Sequence, residues 1–320
     1  MKEHLKNYID ESKTAHVRGL RILLEYFYAT EIFEEITKTG VKIISVFGSA
    51  RTKPHSPEYH LAHDVGRLLY KAGFAVVTGA SRGIMQAANQ GAADAIAEEI
   101  VAKKKARSIE EARETALYQK ILKNHSVGLS ISLPVESENN PFLGVSATFH
   151  YFMVRKFFFG SLSSGFIACE GGWGTRDELF EILTLVQTGK APILPIVYLS
   201  PNPRHLELDL RHALRKKYIA SEDLNLIRLV KTPEEAAKEI RQFYKNVSSV
   251  IYDRDQIVRI VCKTPPSLAL RDRVEKILTQ ADDTLQDIEW TRTELLLRRY
   301  QPHSYGTLRR AIDVLNTKGP

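Results

Sequence analysis

Short apolar runs alternate along this chain with longer segments in which apolar residues recur every three or four positions. Between about 13 and 38, Leu20, Leu23, Leu24, Phe27, Ile32 and Ile36 keep helical spacing, and Gly40 closes the segment. Residues 41–47 form a mainly apolar run of strand length, and Gly48-Ser49-Ala50-Arg51 turns out of its carboxyl end. The pattern then predicts a helix over about 57–71, a strand over 73–78, a small-residue turn over 79–83 and a helix from near Ile84. A charged insertion over about 99–124 precedes a strand over 127–133. A loop with Pro134, Asn139, Asn140 and Pro141 follows, then an aromatic stretch over 149–159 and a buried strand over 165–169. The next helix carries Leu179, Ile182, Leu183 and Val186 on one face. Strands over 192–198 and 226–230, a helix over about 202–217 and a helix opening at Thr232-Pro233 complete the alternation.

Strands that alternate with helices predict a parallel sheet, because parallel neighbours need crossover connections. The expected class is α/β, a doubly wound parallel sheet over residues 41–249. A helical extension is expected at 1–40 and a β/helical extension at 250–320. In the last of these a short β pair is expected, then helices, with Leu278, Leu285, Ile288, Leu295 and Leu296 as apolar positions. Ligands of such sheets bind outside the carboxyl ends of the strands. Three of those ends carry small-residue turns here, at 48–49, 79–83 and 171–175.

The most informative turn is Glu170-Gly171-Gly172-Trp173-Gly174-Thr175-Arg176-Asp177-Glu178, between a buried strand and an amphipathic helix. Glycines let a backbone approach a ligand closely, and the N–H groups and dipole of a helix start favour phosphate. A phosphorylated small molecule is the expected ligand. Taken alone, Thr175-Arg-Asp-Glu178 is also the spacing of a capping box, in which Thr175 and Glu178 satisfy backbone donors at the helix start. Arg155 sits in Phe149-His-Tyr-Phe-Met-Val-Arg-Lys-Phe-Phe-Phe159, where an idle charge would be costly to bury.

Composition narrows the classes. The formal net charge of +7 suits an anionic ligand without naming one. The dense basic run Lys103-Lys-Lys-Ala-Arg107 is flanked by Glu98, Glu99, Glu110 and Glu111, the pattern of a solvated helix surface and not of a nucleic-acid groove. Two cysteines, Cys169 and Cys262, have no metal or redox spacing, and His55, His60 and His63 cluster in sequence without a clear metal-ligand pattern and are expected to be solvent-exposed. Neither a metal nor a cofactor is expected. No run is long enough to span a bilayer and the first residues lack a signal-peptide core, so a reducing cytoplasm is the expected location. The first turn lacks G-x-G-x-x-G spacing, and no lysine stands in a recognisable pyridoxal-phosphate setting.

The ordered pieces together resemble the Lonely Guy (LOG) proteins, often labelled lysine decarboxylases. That family carries a PGGxGTxxE motif downstream of an arginine-lysine pair. The matching residues are Gly171-Gly172-Trp173-Gly174-Thr175 with Glu178, Arg155-Lys156, Phe47-Gly48-Ser49-Ala50-Arg51, Gly83-Ile-Met-Gln-Ala-Ala-Asn89, Leu133-Pro134 with Asn140-Pro141-Phe142, and Leu183-Thr-Leu-Val-Gln187. They span about 41–200. The resemblance implies a Rossmann-like homodimer, or a higher homo-oligomer, that hydrolyses the N-glycosidic bond of a nucleoside 5′-monophosphate, an AMP-like or cytokinin ribotide, to free base and ribose 5-phosphate. It implies catalytic roles for Arg155 and Glu178. Phosphate or ribose contacts fall to Ser49, Arg51, Gly79, Gly83, Gly171, Gly172, Gly174 and Thr175.

Two positions depart from the family pattern. Glu170 replaces the leading proline, which sets a carboxylate at the lip of the turn. Gly79-Ala80-Ser81-Arg82-Gly83 replaces a run of three glycines, so Cβ atoms enter a turn that favours positive φ. The competing reading is a nucleotide-binding or sensor protein on the same fold that does not hydrolyse its ligand.

Overall fold

The computed structural model describes residues 15–133, 140–253, 257–281, 285, 287–300 and 304–317. Pro134, Asn139 and the first residues of the N-terminal extension lie outside them. A seven-stranded sheet has the order β4-β3-β2-β1-β5-β6-β7. Its strands are β1 (Ile43–Phe47), β2 (Ala75–Thr78), β3 (Ser126–Ile131), β4 (Val145–Phe149), β5 (Ser163–Cys169), β6 (Ile196–Leu199) and β7 (Ile227–Val230). The pairings of β1 with β2, β2 with β3, β3 with β4, β5 with β6 and β6 with β7 are all parallel. This is the α/β doubly wound sheet that the alternation of elements predicts. Every residue of β1 and β2 is buried, as expected of strands covered by helices on both faces.

The chain divides into two compact units, and the division falls within β1: residues 1–45 with 50–163, and residues 46–49 with 164–320. The first unit contains α1 (Ala15–Lys38), α2 (Pro57–Lys71), α3 (Ile84–Ala102), α4 (Ile109–Glu114), α5 (Ala116–His125) and α6 (Phe152–Leu162). Helix α2 starts as its sequence dictates, with Ser56 accepting the Tyr59 N–H and Pro57 at the first helical position. Helices α2 and α3 cross at backbone contact: a Cβ on Gly91 would lie 1.8 Å from the His63 carbonyl oxygen. The charged insertion folds as the end of α3 followed by α4 and α5. These helices pack Ile96, Ile100, Ala112, Tyr118 and Leu122 into a core of their own.

Asn89 is fully buried and structural. It accepts from Thr78 Oγ1 at 2.6 Å and Asn140 Nδ2 at 2.9 Å, and donates to Ser126 Oγ at 2.9 Å. One amide thereby joins β2, α3, β3 and the loop before β4, with its polar atoms satisfied as burial requires.

The second unit carries α7 (Trp173–Gln187), α8 (Arg204–Arg215), α9 (Pro233–Phe243), α10 (Leu268–Ala281) and α11 (Gly306–Leu315), with a 3-10 turn at Glu222–Leu226. A second, antiparallel sheet of order β10-β11-β9-β8 is formed by β8 (Val247–Asp253), β9 (Ile257–Cys262), β10 (Ile288–Trp290) and β11 (Glu294–Leu297). Here the structure differs from the expected β pair followed by helices. Leu295 and Leu297 are buried while Glu294 and Leu296 are partly exposed, so the leucines alternate across a strand and do not line a helix. The strand that the pattern places over 192–198 is confined to Ile196–Leu199, since Pro192 and Pro195 have no N–H to give a ladder. Arg309 is 1% exposed, paired with Glu239 and Asp313 and laid over the Phe243 ring at 5.0 Å, so this buried charge is compensated.

Candidate functional site

In the second unit β5 delivers the chain into the glycine turn, and α7 begins at Trp173 with Gly172 as its extended N-cap. Thr175 and Glu178 therefore lie inside the helix and not at its cap. The N-cap Gly172 has no side chain to cap with, and Thr175 is not the N-cap that the capping-box alternative for Thr175 and Glu178 requires. A true capping box is present elsewhere, where Thr232 and Glu235 satisfy each other's backbone at the start of α9. Thr175 and Glu178 are both only 8% exposed, although both are polar. The N–H groups of a helix's first turn point out of its end, and Gly172, Trp173 and Gly174 at this end are exposed.

The turn is built on close backbone approach. The Ser49 N–H donates to the Glu170 carbonyl at 3.2 Å, which ties the end of β1 to the end of β5. A Cβ on Gly171 would lie 2.1 Å from Thr175 Oγ1 and 3.0 Å from the Ser49 nitrogen, so only glycine fits. A Cβ on Gly172 or Gly174 would meet nothing within 4 Å. The structure thus brings Ser49, Gly171 and Thr175 together, with Glu178 buried one turn along α7. Gly172 and Gly174 lie open beside Trp173, whose indole is 90% exposed.

Glu170 turns its carboxylate to Ser200, which donates its hydroxyl after β6. The same Ser200 oxygen accepts the Asn202 N–H at 3.0 Å. This partner was invisible in the sequence, because Ser200 lies thirty positions away and only the adjacency of β5 and β6 brings the two strand ends side by side. Burial pushes the Cys169 thiol up to about 12, and the neighbouring Glu170 charge adds to the shift. Burial and Glu170 raise the Tyr198 phenol as well.

In the first unit the turn after β2 holds two residues in the left-handed region, Ala80 at φ 60° and Gly83 at φ 68°. Gly83 is the N-cap of α3 and supplies that geometry at no steric cost. Ala80 keeps it despite its Cβ, at a cost of about 1–2 kcal/mol, with its N–H held by Thr78 Oγ1 at 3.1 Å. Arg155, on α6, has its guanidinium 5.0 Å from the Phe152 ring and 5.8 Å from that of Phe159. Its Nη1 would be 3.8 Å from a Cβ on Gly79, so Gly79 and Arg155 are neighbours. Arg51 lies in the exposed turn after β1.

The histidines divide. His55 and His60 are 6.3 Å apart ring to ring, whereas His63 bonds Asp94 at 3.0 Å and Asp64 at 3.3 Å. Among the described residues no group of three or more His, Cys, Asp or Glu side chains is arranged to hold a metal ion. No described helix is long and apolar enough to cross a membrane. A cavity of about 600 Å³ in the second unit is lined by Gln187, Lys217, Tyr218 and Ser221, at the far end of α7 from the glycine turn. The Asp223 carboxylate on its wall is occupied by Gln187, Ser304 and the Ala220 N–H, so chemistry is better sought at the turn.

Residues 85–240 match a family described as possible lysine decarboxylase, and residues 41–117 match the SLOG cluster4 family. The two matches support a place among the LOG-like proteins. No curated protein matches the chain. Among solved structures, the molybdenum cofactor binding protein of Rippkaea orientalis is similar at 21% identity and a TM-score of 0.40, over 63% of this chain and 96% of that one. The molybdenum cofactor carrier protein of Chlamydomonas reinhardtii is similar at 17% and 0.39, over 63% and 97%. A protein named TM1055 is similar at 20% and 0.38, over 63% and 99%. Likeness this loose says nothing about ligand.

Proposed function

We propose that the protein hydrolyses the N-glycosidic bond of a nucleoside 5′-monophosphate, releasing free base and ribose 5-phosphate. The observation that carries this reading is the start of α7: a helix end with a glycine N-cap, exposed from Gly172 to Gly174, with a carboxylate buried one turn further on. The LOG-like matches support it. The 5′-phosphate is bound by N–H groups of the first turn beside Gly172, Gly174 and Thr175, where helix dipole and donors both favour an anion. Ser49, Arg51, Gly79 and Gly83 serve the phosphate and ribose.

Cleavage of a glycosidic bond passes through an oxocarbenium-like state, for which a nearby carboxylate is stabilising. Glu178 takes that role and orients the ribose hydroxyls or the attacking water. Arg155 supplies a fixed cation to the phosphate or ribose, its plane held against two phenylalanines. Glu170, engaged by Ser200, is turned to a polar partner and need not repel the phosphate. The name of the matched family points to lysine decarboxylation, but an anion-binding turn followed by a buried glutamate answers the needs of a nucleotide better.

The active form is a homodimer. Its support is the apolar surface of α1 and α6, where Leu23, Phe27, Tyr28, Met153 and Phe157 are each more than half exposed. The Tyr26 ring, 5.5 Å from that of Phe157, makes the surface continuous. Monomeric proteins rarely leave so large an apolar patch in water.

The test is a panel of nucleoside 5′-monophosphates, with chromatography for free base and ribose 5-phosphate and the matching nucleosides as controls. Phosphate-dependent base release is expected. Glu178→Gln should lower turnover by about a hundredfold or more while nucleotide still binds, the scale of losing one charge-stabilising group. Binding without release from any nucleotide would favour the non-hydrolytic reading, and full activity in Glu178→Gln would remove that residue from the mechanism.

A further inference from the structure

The helix that carries Arg155 has no capping side chain of its own: its N-cap is Tyr151, whose side chain makes no cap bond. Helix starts leave N–H groups in need of acceptors, and an anion beside them is favoured by the dipole. The acceptor here comes from α1, more than a hundred residues away in sequence. Glu25 takes the His150 N–H on Oε1 at 2.9 Å and the Tyr151 N–H on Oε2 at 3.3 Å. The His150 Nδ1 meets Oε1 at 2.8 Å. The Glu25 side chain is only 13% exposed, whereas that of His150 is 71% exposed. A carboxylate this covered is held by its bonds to the turn.

Those bonds lead directly to the arginine. The carbonyl of Tyr151, the same peptide-bearing residue that Glu25 grips by its N–H, accepts the Arg155 N–H at 3.2 Å and the Val154 N–H at 3.1 Å. Only His150 and Tyr151 separate the end of β4 from the start of α6, so the turn has little slack to absorb a lost anchor. At the other end of the residue, the guanidinium lies 5.0 Å and 5.8 Å from the Phe152 and Phe159 ring centroids, with Gly79 as a neighbour.

We infer that Glu25 is a positioning residue for Arg155: its carboxylate, supplied by the N-terminal helix, clamps the turn from which Arg155 is hung. The inference rests on the proposed role of Arg155 for its catalytic consequence, though not for the clamp itself. It extends the working site to α1, which the sequence resemblance at 41–200 does not reach.

The experiment compares the full-length parent with Glu25→Ala, Glu25→Gln, Arg155→Ala and the Glu25→Ala/Arg155→Ala double variant. Nucleotide hydrolysis and hydrogen exchange of the backbone amides over 150–155 are measured on each. Glu25→Ala should exchange at least tenfold faster in that segment and nowhere in the second unit. Its kcat should fall at least tenfold. Glu25→Gln has the same shape and one acceptor oxygen, so it keeps the fold and should fall between the parent and Glu25→Ala in both readouts. The double variant should be no slower than Arg155→Ala alone, because Glu25 acts only through that arginine. Losses that multiply in the double variant would overturn the positioning role, and so would a kcat unchanged in Glu25→Ala. If the parent releases no base from any nucleotide, the functional reading fails. The exchange data still decide the clamp, which unaltered exchange over 150–155 in Glu25→Ala would overturn.

Discussion

Replacing Gly171 by alanine tests whether the glycine turn is a packed device or merely a flexible one. Gly171 has an ordinary φ, so the substitution strains no dihedral, and its cost is purely one of space. The added Cβ would lie 2.1 Å from Thr175 Oγ1, 2.7 Å from Thr175 Cβ and 3.0 Å from the Ser49 nitrogen. Thr175 is β-branched, buried and inside a helix, so its rotamers offer little escape. The Ser49 nitrogen is backbone, already bonded to the Glu170 carbonyl. Relief has to come from opening the turn by about an ångström, and overpacking of this kind costs roughly 1–3 kcal/mol. In a domain of this size that lowers the melting temperature by roughly 3–10 °C. An equal loss of phosphate binding would raise the KM for nucleotide by up to about a hundredfold. Gly174→Ala is the matched comparison, since its Cβ meets nothing within 4 Å. Inside a helix that change stabilises by up to about 1 kcal/mol. A raised KM in Gly174→Ala without any loss of stability would mark the approach of the ligand's phosphate. Thermal melts and nucleotide hydrolysis on both variants decide the matter, and a Gly171→Ala protein with the parent's melting temperature and KM would refute the reasoning.

The His63 imidazole is raised above its ordinary value of 6.5, first by its hydrogen bond to Asp94. Its stabilising contribution is therefore full below about pH 6.5 and is lost as pH rises through the higher folded-state value. The stability gap between the parent and His63→Asn should be widest near pH 5.5 and shrink by pH 8.5 in thermal melts; a gap independent of pH would contradict this. Cys169 and Cys262 are buried, and burial raises their thiols to about 12 and about 11. Neither should react with an aromatic disulfide at pH 8 until the protein is unfolded, and rapid release of the thiolate dye from the native protein would show the burial to be wrong. Phe27→Glu combined with Phe157→Glu places charge on the exposed apolar face of α1 and α6. Sedimentation should show a dimer for the parent and a monomer for the double variant, and a monomeric parent would end the dimer reading.

Much of the fold was legible because its strands are central and parallel. Runs such as Phe166-Ile167-Ala168-Cys169, buried on both faces, have no polar alternation to confuse them with helices. β4 was not legible: Val145–Phe149 is an edge strand of small and polar residues, with only Ala147 and Phe149 buried. The hairpin of β10 and β11 was hidden by leucines, which serve a helix as readily as a strand. In the glycine turn the residue types pointed to an anion site. They did not say whether Thr175 would cap the helix or fill the space beside Gly171, because both uses require the same short polar side chain.

By itself the sequence determined the alternating α/β order, the small-residue turns at strand ends and a buried-strand-to-helix glycine turn, since all of these follow from local periodicity and backbone permissiveness. Only the tertiary structure decided which side chains those turns would meet. Ser49 against Gly171, Ser200 on Glu170, Asn89 between β2 and β3, and Glu25 beneath the start of the Arg155 helix are contacts between residues far apart in the chain. The physical reason is that hydrogen bonds and close packing depend on angles and distances of a few ångströms, which sheet register and helix packing set and which residue spacing alone does not encode.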